Sequence, residues 1–63
     1  MKRISFCYRN EYHIPYIITG DVIKETKNRY FIRANNFIYI LYKDNNWNTN
    51  IKINSKYFDD INR

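Results

Sequence analysis

A chain of 63 residues reads as one small domain, 1–63, near the lower size limit at which burial alone holds a fold. Seven Tyr, four Phe and eleven Ile supply much burial per residue and favour an ordered domain over a disordered tail. The formal charge of +5 excludes a DNA mimic, which needs dense carboxylates, and leaves phosphate backbones, acidic protein surfaces or an ordinary solvated surface.

The basic character sits in the first half. Residues 1–33 hold seven Lys or Arg against three acids, and residues 34–63 hold four against three. The single cysteine, Cys7, cannot close an internal disulfide, which points to a reducing compartment. No apolar run approaches the roughly 18 residues of a spanning helix, and the basic start MKRISFCYRNEY lacks the apolar core of a signal peptide. A cytoplasmic protein without a membrane partner is expected. Ile, Asn, Lys, Tyr and Phe make up 38 of the 63 residues, and all use AT-rich codons. This points to a low-GC genome and, for so short a gene, to a phage or plasmid, in which case the host cytoplasm is the location.

Along the chain, Arg3 to Arg9 places Ile4, Phe6 and Tyr8 on one face and Ser5 and Cys7 on the other, the period-two pattern of a half-buried strand. The polar loop NEYHIPY follows, closed by Pro15. YIITGDVIKET is rich in β-branched residues and interrupted by Gly20, which predicts a bulge or sharp bend within one long strand. Lys27 and Asn28 suit a tight turn into RYFIR, and Ala34, Asn35 and Asn36 a second, because Asn tolerates left-handed backbone angles.

In the next strand Phe37, Tyr39 and Leu41 point one way and Ile38, Ile40 and Tyr42 the other. A strand apolar on both faces expects cover on both, as at the centre of a small barrel or at a dimer interface. KDNNWN reads as a turn, and Ile51 and Ile53 face inward from a fifth short strand. SKYFDDI offers Ser55 as the N-cap of one helical turn, with Tyr57, Phe58 and Ile61 available to plug a barrel end. The expectation is an all-β fold: a small five-stranded barrel or strongly bent sheet, mainly antiparallel, with a short C-terminal helical turn.

The spacing of GDVI, a turn, RYFIR, a turn and FIYILY, residues 20–42, is similar to the middle of SH3-like barrels, where a Gly-Asp pair enters three consecutive antiparallel strands. The resemblance implies a topology only. An Ala-Leu-Tyr-Asp-Tyr run, paired tryptophans and a proline before the closing aromatic turn are all missing, and with them the peptide-binding signature of the family.

Catalytic chemistry finds little support. Cys7 and the lone His13 could form a nucleophile pair, but no glycine-rich turn or helix N-terminus nearby offers an oxyanion site. One Cys and one His fall short of a zinc ligand set within a chain. Asp59 and Asp60 diverge as sequence neighbours in a helical turn, and serve better to offset Lys56 or Arg63. A single glycine cannot build a phosphate-cradling loop. No enzyme, cofactor or metal is expected.

The sharpest constellation is on RYFIR. With Tyr30 and Ile32 facing the core, Arg29, Phe31 and Arg33 share the other face, and an aromatic lies between two guanidinium groups. Such a trio suits base stacking with phosphate contacts, or a protein hot spot. Alternatively, Phe31 packs under the first strand or the terminal turn, while the arginines discourage edge pairing. Trp47, at a loop tip between asparagines, is the second candidate; it either recognises a partner or folds back beside Tyr57 and Phe58.

The first expectation is a stoichiometric binder of a host protein, or of a protein and nucleic-acid complex, inhibiting a defence or nucleic-acid-processing assembly. Its surface would comprise Lys24, Lys27, Arg29, Phe31, Arg33 and Trp47, with a free edge strand pairing to the target or to a second copy. The alternative is direct binding of single-stranded or duplex nucleic acid, with Lys24, Lys27, Arg29 and Arg33 as a phosphate track. A structural or assembly subunit is a third reading.

Overall fold

A computed structural model describes residues 2–63. Six strands are formed: β1 (Arg3–Arg9), β2 (Pro15–Glu25), β3 (Arg29–Ala34), β4 (Phe37–Tyr42), β5 (Asn48–Thr49) and β6 (Lys52–Asn54), followed by helix α1 (Ser55–Ile61). They make one sheet in the order β5-β1-β2-β3-β4-β6, curled into a half-barrel. All neighbours are antiparallel except β5, which runs parallel to β1. The sequence pattern anticipates five strands; the sixth is the two-residue β5, too short to carry a periodic signal.

The two ends of the sheet, β5 and β6, are joined in the chain by only Asn50 and Ile51, which draws the sheet round on itself. Across the remaining gap the buried Thr49 hydroxyl donates to the Ile40 carbonyl, and the Ile40 amide donates to the Ile51 carbonyl at 3.2 Å.

Alternation sorts the apolar residues into two clusters. The concave interior holds Phe6, Tyr8, Ile32, Ala34, Tyr39 and Leu41, with Ile4, Ile18, Val22, Tyr30 and Phe37 against them. The convex side holds Phe31, Ile38 and Phe58, with Ile23, Ile40 and Ile53 around them. The two-faced β4 is thereby explained: Phe37, Tyr39 and Leu41 fill the interior, while Ile38 and Ile40 lie against α1. Tyr42, the third residue of that face, stays 41% exposed.

The helix departs from expectation in three respects. Its N-cap is Asn54 rather than Ser55, with Asn54 Oδ1 accepting from the Lys56 amide at 2.9 Å. It covers the convex sheet face rather than a barrel end, because Phe58 reaches Phe31, with ring centroids 5.7 Å apart. Tyr57 and Ile61 remain 60% and 58% exposed, so Phe58 is the one buried side chain of the helix. Ile53 likewise faces this outer cluster and not the barrel interior.

Turns follow the sequence closely. Thr26 and Arg29 close the turn around Lys27 and Asn28 through the Thr26 amide to the Arg29 carbonyl at 2.9 Å. Asn35 takes φ 56 in the two-residue connection from β3 to β4, the left-handed angle that hairpin twist demands. Gly20 serves a different end from the one its position suggests. The register shift lies between Val22 and Lys24, so Ile23 is the bulged residue. A Cβ on Gly20 would stand 2.5 Å from the Arg33 carbonyl oxygen and 2.8 Å from Ile32 Cγ2. Glycine is required there because β3 crosses at that distance.

Candidate functional site

The outer face of β3 is closed. Phe31 is only 8% exposed, so the expected exposed aromatic between arginines is not formed; the register was as expected, but α1 covers it. Arg33 turns to the helix and pairs with Asp59 at 2.6 Å. Lys24, brought opposite Phe31 by the Ile23 bulge, and Arg29 each place their charge 5.4 Å from the Phe31 ring. Arg29 also lies 6.0 Å from the ring of Tyr42.

Trp47 is open and built into position. Its indole stacks on Tyr30 with centroids 6.2 Å apart and planes 14° off parallel, yet stays 54% exposed. It lies at the opposite side of the sheet from Phe58, not beside it as one sequence reading proposed. Asn46 and Trp47 both adopt left-handed backbone angles, φ 50 and 62, which a bulky residue takes only where surrounding bonds compel it. Here the Asn45 amide group donates to the Asn48 carbonyl, the Asn48 amide group to the Asn46 carbonyl, and the Cys7 N–H to the Trp47 carbonyl. The asparagines thus hold the loop as well as reflecting codon usage.

Cations surround the Tyr30 ring under Trp47, with the Lys2 and Lys43 ammonium groups 4.9 and 4.8 Å from its centroid. Lys43 also bonds Glu25 at 2.6 Å. That bond, then the charges of Lys43 and Lys2, outweigh an opposing desolvation effect and hold the Glu25 carboxyl below its ordinary range. Lys27 lies in the adjoining β2–β3 turn, exposed. Of the sequence-predicted residues, Lys24 and Arg29 therefore lie with Phe31 on the convex face, Arg33 is engaged by α1, Lys27 is in the turn, and Trp47 stands apart on Tyr30. Lys2, Tyr30 and Lys43 were not anticipated, since nothing local in the sequence joins them to Trp47.

A second exposed region is the β1–β2 arm. The Val22 N–H donates to the Lys2 carbonyl and the Asn10 N–H to the Ile14 carbonyl, which sets even-numbered positions as the bonded pairs of this ladder. Alternation then turns the N–H and C=O of Ile17 and Thr19 away from β1. β3 pairs with β2 only from Asp21 onward, so among the described residues no strand meets that edge. Pro15, which would face the same way, has no N–H to offer.

Large apolar side chains accompany this edge: Ile17 is 77% exposed, Tyr16 49%, Ile14 48% and Tyr12 73%. At the tip, Asn10 Oδ1 accepts from the amides of Tyr12 and Ile14, and His13 takes φ 62. The half-buried Cys7 lies opposite Ile17 on the convex face. An open hollow of about 400 Å³ lies between the tip and the Asn45–Asn50 segment, lined by His13 and Glu11 on one side and Asn48 and Asn50 on the other.

Among the described residues no group of three or more His, Cys, Asp or Glu is placed to hold a metal ion. No helix among the described residues is long and apolar enough to cross a membrane. The fold and these two surfaces define a small all-β half-barrel with one packed helix. Comparison with protein-family models, with curated proteins and with solved structures found no match to this chain.

Proposed function

We propose that this chain is a non-enzymatic accessory protein that docks one-to-one onto a protein partner, with the β1–β2 arm as its docking element. The observation that carries the reading is the open edge of β2. Ile17 and Thr19 present two N–H and two C=O groups to solvent, beside an Ile17 side chain that is 77% exposed. An extended segment of the partner adds there as a strand: main-chain hydrogen bonds supply affinity, and apolar side chains against Ile17 and Tyr16 supply selectivity. A nucleic acid has no row of alternating donors and acceptors at strand spacing, so this edge favours a protein.

Natural sheets protect free edges with charge, proline or a covering element. Pro15 blocks one position, but Ile17 and Thr19 carry no such protection, which fits an edge reserved for a partner. The composition points to a low-GC genome; the source we propose is a phage or other mobile element of such a host, and the purpose inhibition of a host defence or nucleic-acid-processing complex.

The test is capture from a nuclease-treated lysate of a low-GC bacterium, comparing the tagged wild-type chain with Ile17→Pro and Ile17→Lys. Proline removes the outward donor and lysine places charge on the edge, while both leave the bonded pairs to β1 in place. One protein recovered at near-equal stoichiometry by the wild type and lost from both variants is expected. Recovery that survives both substitutions, or that collapses with nuclease, contradicts the assignment.

A further inference from the structure

We infer that the Trp47–Tyr30 stack is a contact site for single-stranded nucleic acid, separate from the β2 edge and independent of it. Three observations converge on this end of the half-barrel.

The first is shape. Tyr30 supports the indole with planes 14° off parallel, leaving Trp47 54% exposed. A flat, pre-oriented aromatic surface accepts any base, because every base has a π-face.

The second is charge. Among the described residues Arg3, Arg33 and Arg63 pair with Asp21, Asp59 and Asp60, whereas Lys2, Arg9, Lys24, Lys27, Arg29, Lys52 and Lys56 have no carboxylate within ion-pair distance. Lys2 lies at the Tyr30 ring on the Trp47 side and Lys27 in the exposed β2–β3 turn, whereas Lys24 and Arg29 lie over Phe31 on the convex face. Glu25 is paired with Lys43, and Asp44, in the loop that carries Trp47, is the other acid nearby. At the stacking surface itself the Lys2 and Lys43 ammonium groups lie against Tyr30, where they can meet the phosphates that flank a stacked base.

The third is cost. Two consecutive left-handed residues, one a tryptophan, are held in a net of asparagine hydrogen bonds. Both are the central residues of the tight turn closed by the Asn48 N–H to the Asn45 carbonyl at 3.0 Å, which fixes the direction in which the indole leaves the loop. The small hollow beside the stack, about 80 Å³ between Leu41, Tyr42 and Lys43, is too small for a cofactor-sized ligand. A flat aromatic face with ammonium groups at its supporting ring matches the alternation of base and phosphate in a single strand, and an acidic protein segment is the alternative that the peptide arm of the test addresses.

Trp47 is the single tryptophan, so its fluorescence reports the site directly. The full chain is titrated with an oligothymidylate of about ten nucleotides, and labelled oligonucleotide anisotropy follows variants that lack the indole. Saturable quenching is expected, with log K falling against log salt at a slope of roughly −2 to −3, since each released phosphate counterion contributes about −0.7 for single strands. Trp47→Ala weakens binding about tenfold or more with the slope retained, and the exposed-turn variant Lys27→Ala lowers the slope by about 0.7 with quenching retained. Ile17→Pro leaves both unchanged, which separates this site from the docking edge. Binding without quenching, no binding at about 50 mM salt, or equal quenching by a polyglutamate peptide overturns the inference; the last would make the surface a protein contact.

Discussion

Replacing Phe58 by alanine tests the two-sided packing of β4 most severely. A seven-residue helix is far below the roughly 12–15 residues at which isolated helices persist, so α1 exists only while docked. Phe58 is its one buried residue, 7% exposed, against Phe31 and Ile38. Truncating a buried phenylalanine costs about 3–5 kcal/mol. The Arg33–Asp59 pair is half-exposed on both sides and adds under ~1 kcal/mol. Against a total stability of ~3–9 kcal/mol at this chain length, Phe58→Ala should release the helix and remove about half the stability or more.

Urea unfolding followed by Trp47 fluorescence, at the far side of the sheet, measures this. With a denaturant slope of ~1 kcal/mol per molar for so small a domain, the midpoint should fall by ~3 M, or the chain should unfold without urea. A chain ending at Asn54 should be destabilised to nearly the same degree, because in both cases Phe31 and Ile38 lose their cover. A loss under ~1 kcal/mol for Phe58→Ala, with a much larger loss on truncation, would show that the helix is anchored by something other than Phe58.

Two further substitutions probe the interior. Gly20→Ala places a methyl 2.5 Å from the Arg33 carbonyl, where backbone must move, so a loss of about 1–3 kcal/mol and a fall in Tm of roughly 5–15 °C are expected; an unchanged or higher Tm refutes the close crossing of β2 and β3. Burial, and then the neighbouring Tyr8, raise the Tyr39 hydroxyl above its ordinary value near 10. The folded state holds that proton more tightly, so its contribution is full below pH ~10 and is lost as pH rises through the higher folded value. Between about pH 9 and 11 the urea midpoint of the wild type should fall more steeply than that of Tyr39→Phe; parallel decline would place the alkaline loss elsewhere.

Much of the sheet was legible because alternation is a local property. The faces of β1 and β4, the turn at Lys27–Asn28 and the turn at Asn35–Asn36 follow from residue type and period. What covers a face is not local. The period correctly set Phe31 opposite Ile32, but nothing in RYFIR tells whether solvent, a partner or Phe58, 27 residues later, lies above it. The same limit applies to Trp47, whose support comes from Tyr30, Lys2 and Lys43.

The open edge has a readable signal in the sequence. The β-branched stretch opening at Tyr16 is about twice as long as RYFIR, so their pairing must leave part of the longer strand without a neighbour. β5 and the bulge at Ile23 carried no such signal, since two residues have no period and the bulge is decided by how β2 meets β3.

Residue-by-residue amide exchange of the free chain tests the central claim, that β2 carries an unoccupied edge, most directly. Ile18 and Gly20, bonded to Phe6 and Ile4 across the β1 ladder, should exchange slowly, near the rate of global opening. Ile17 and Thr19 should exchange orders of magnitude faster, like loop amides. Slow exchange at Ile17 and Thr19, matching their neighbours, would contradict the account, for it would mean that the edge is already paired, whether by the chain itself or by a second copy.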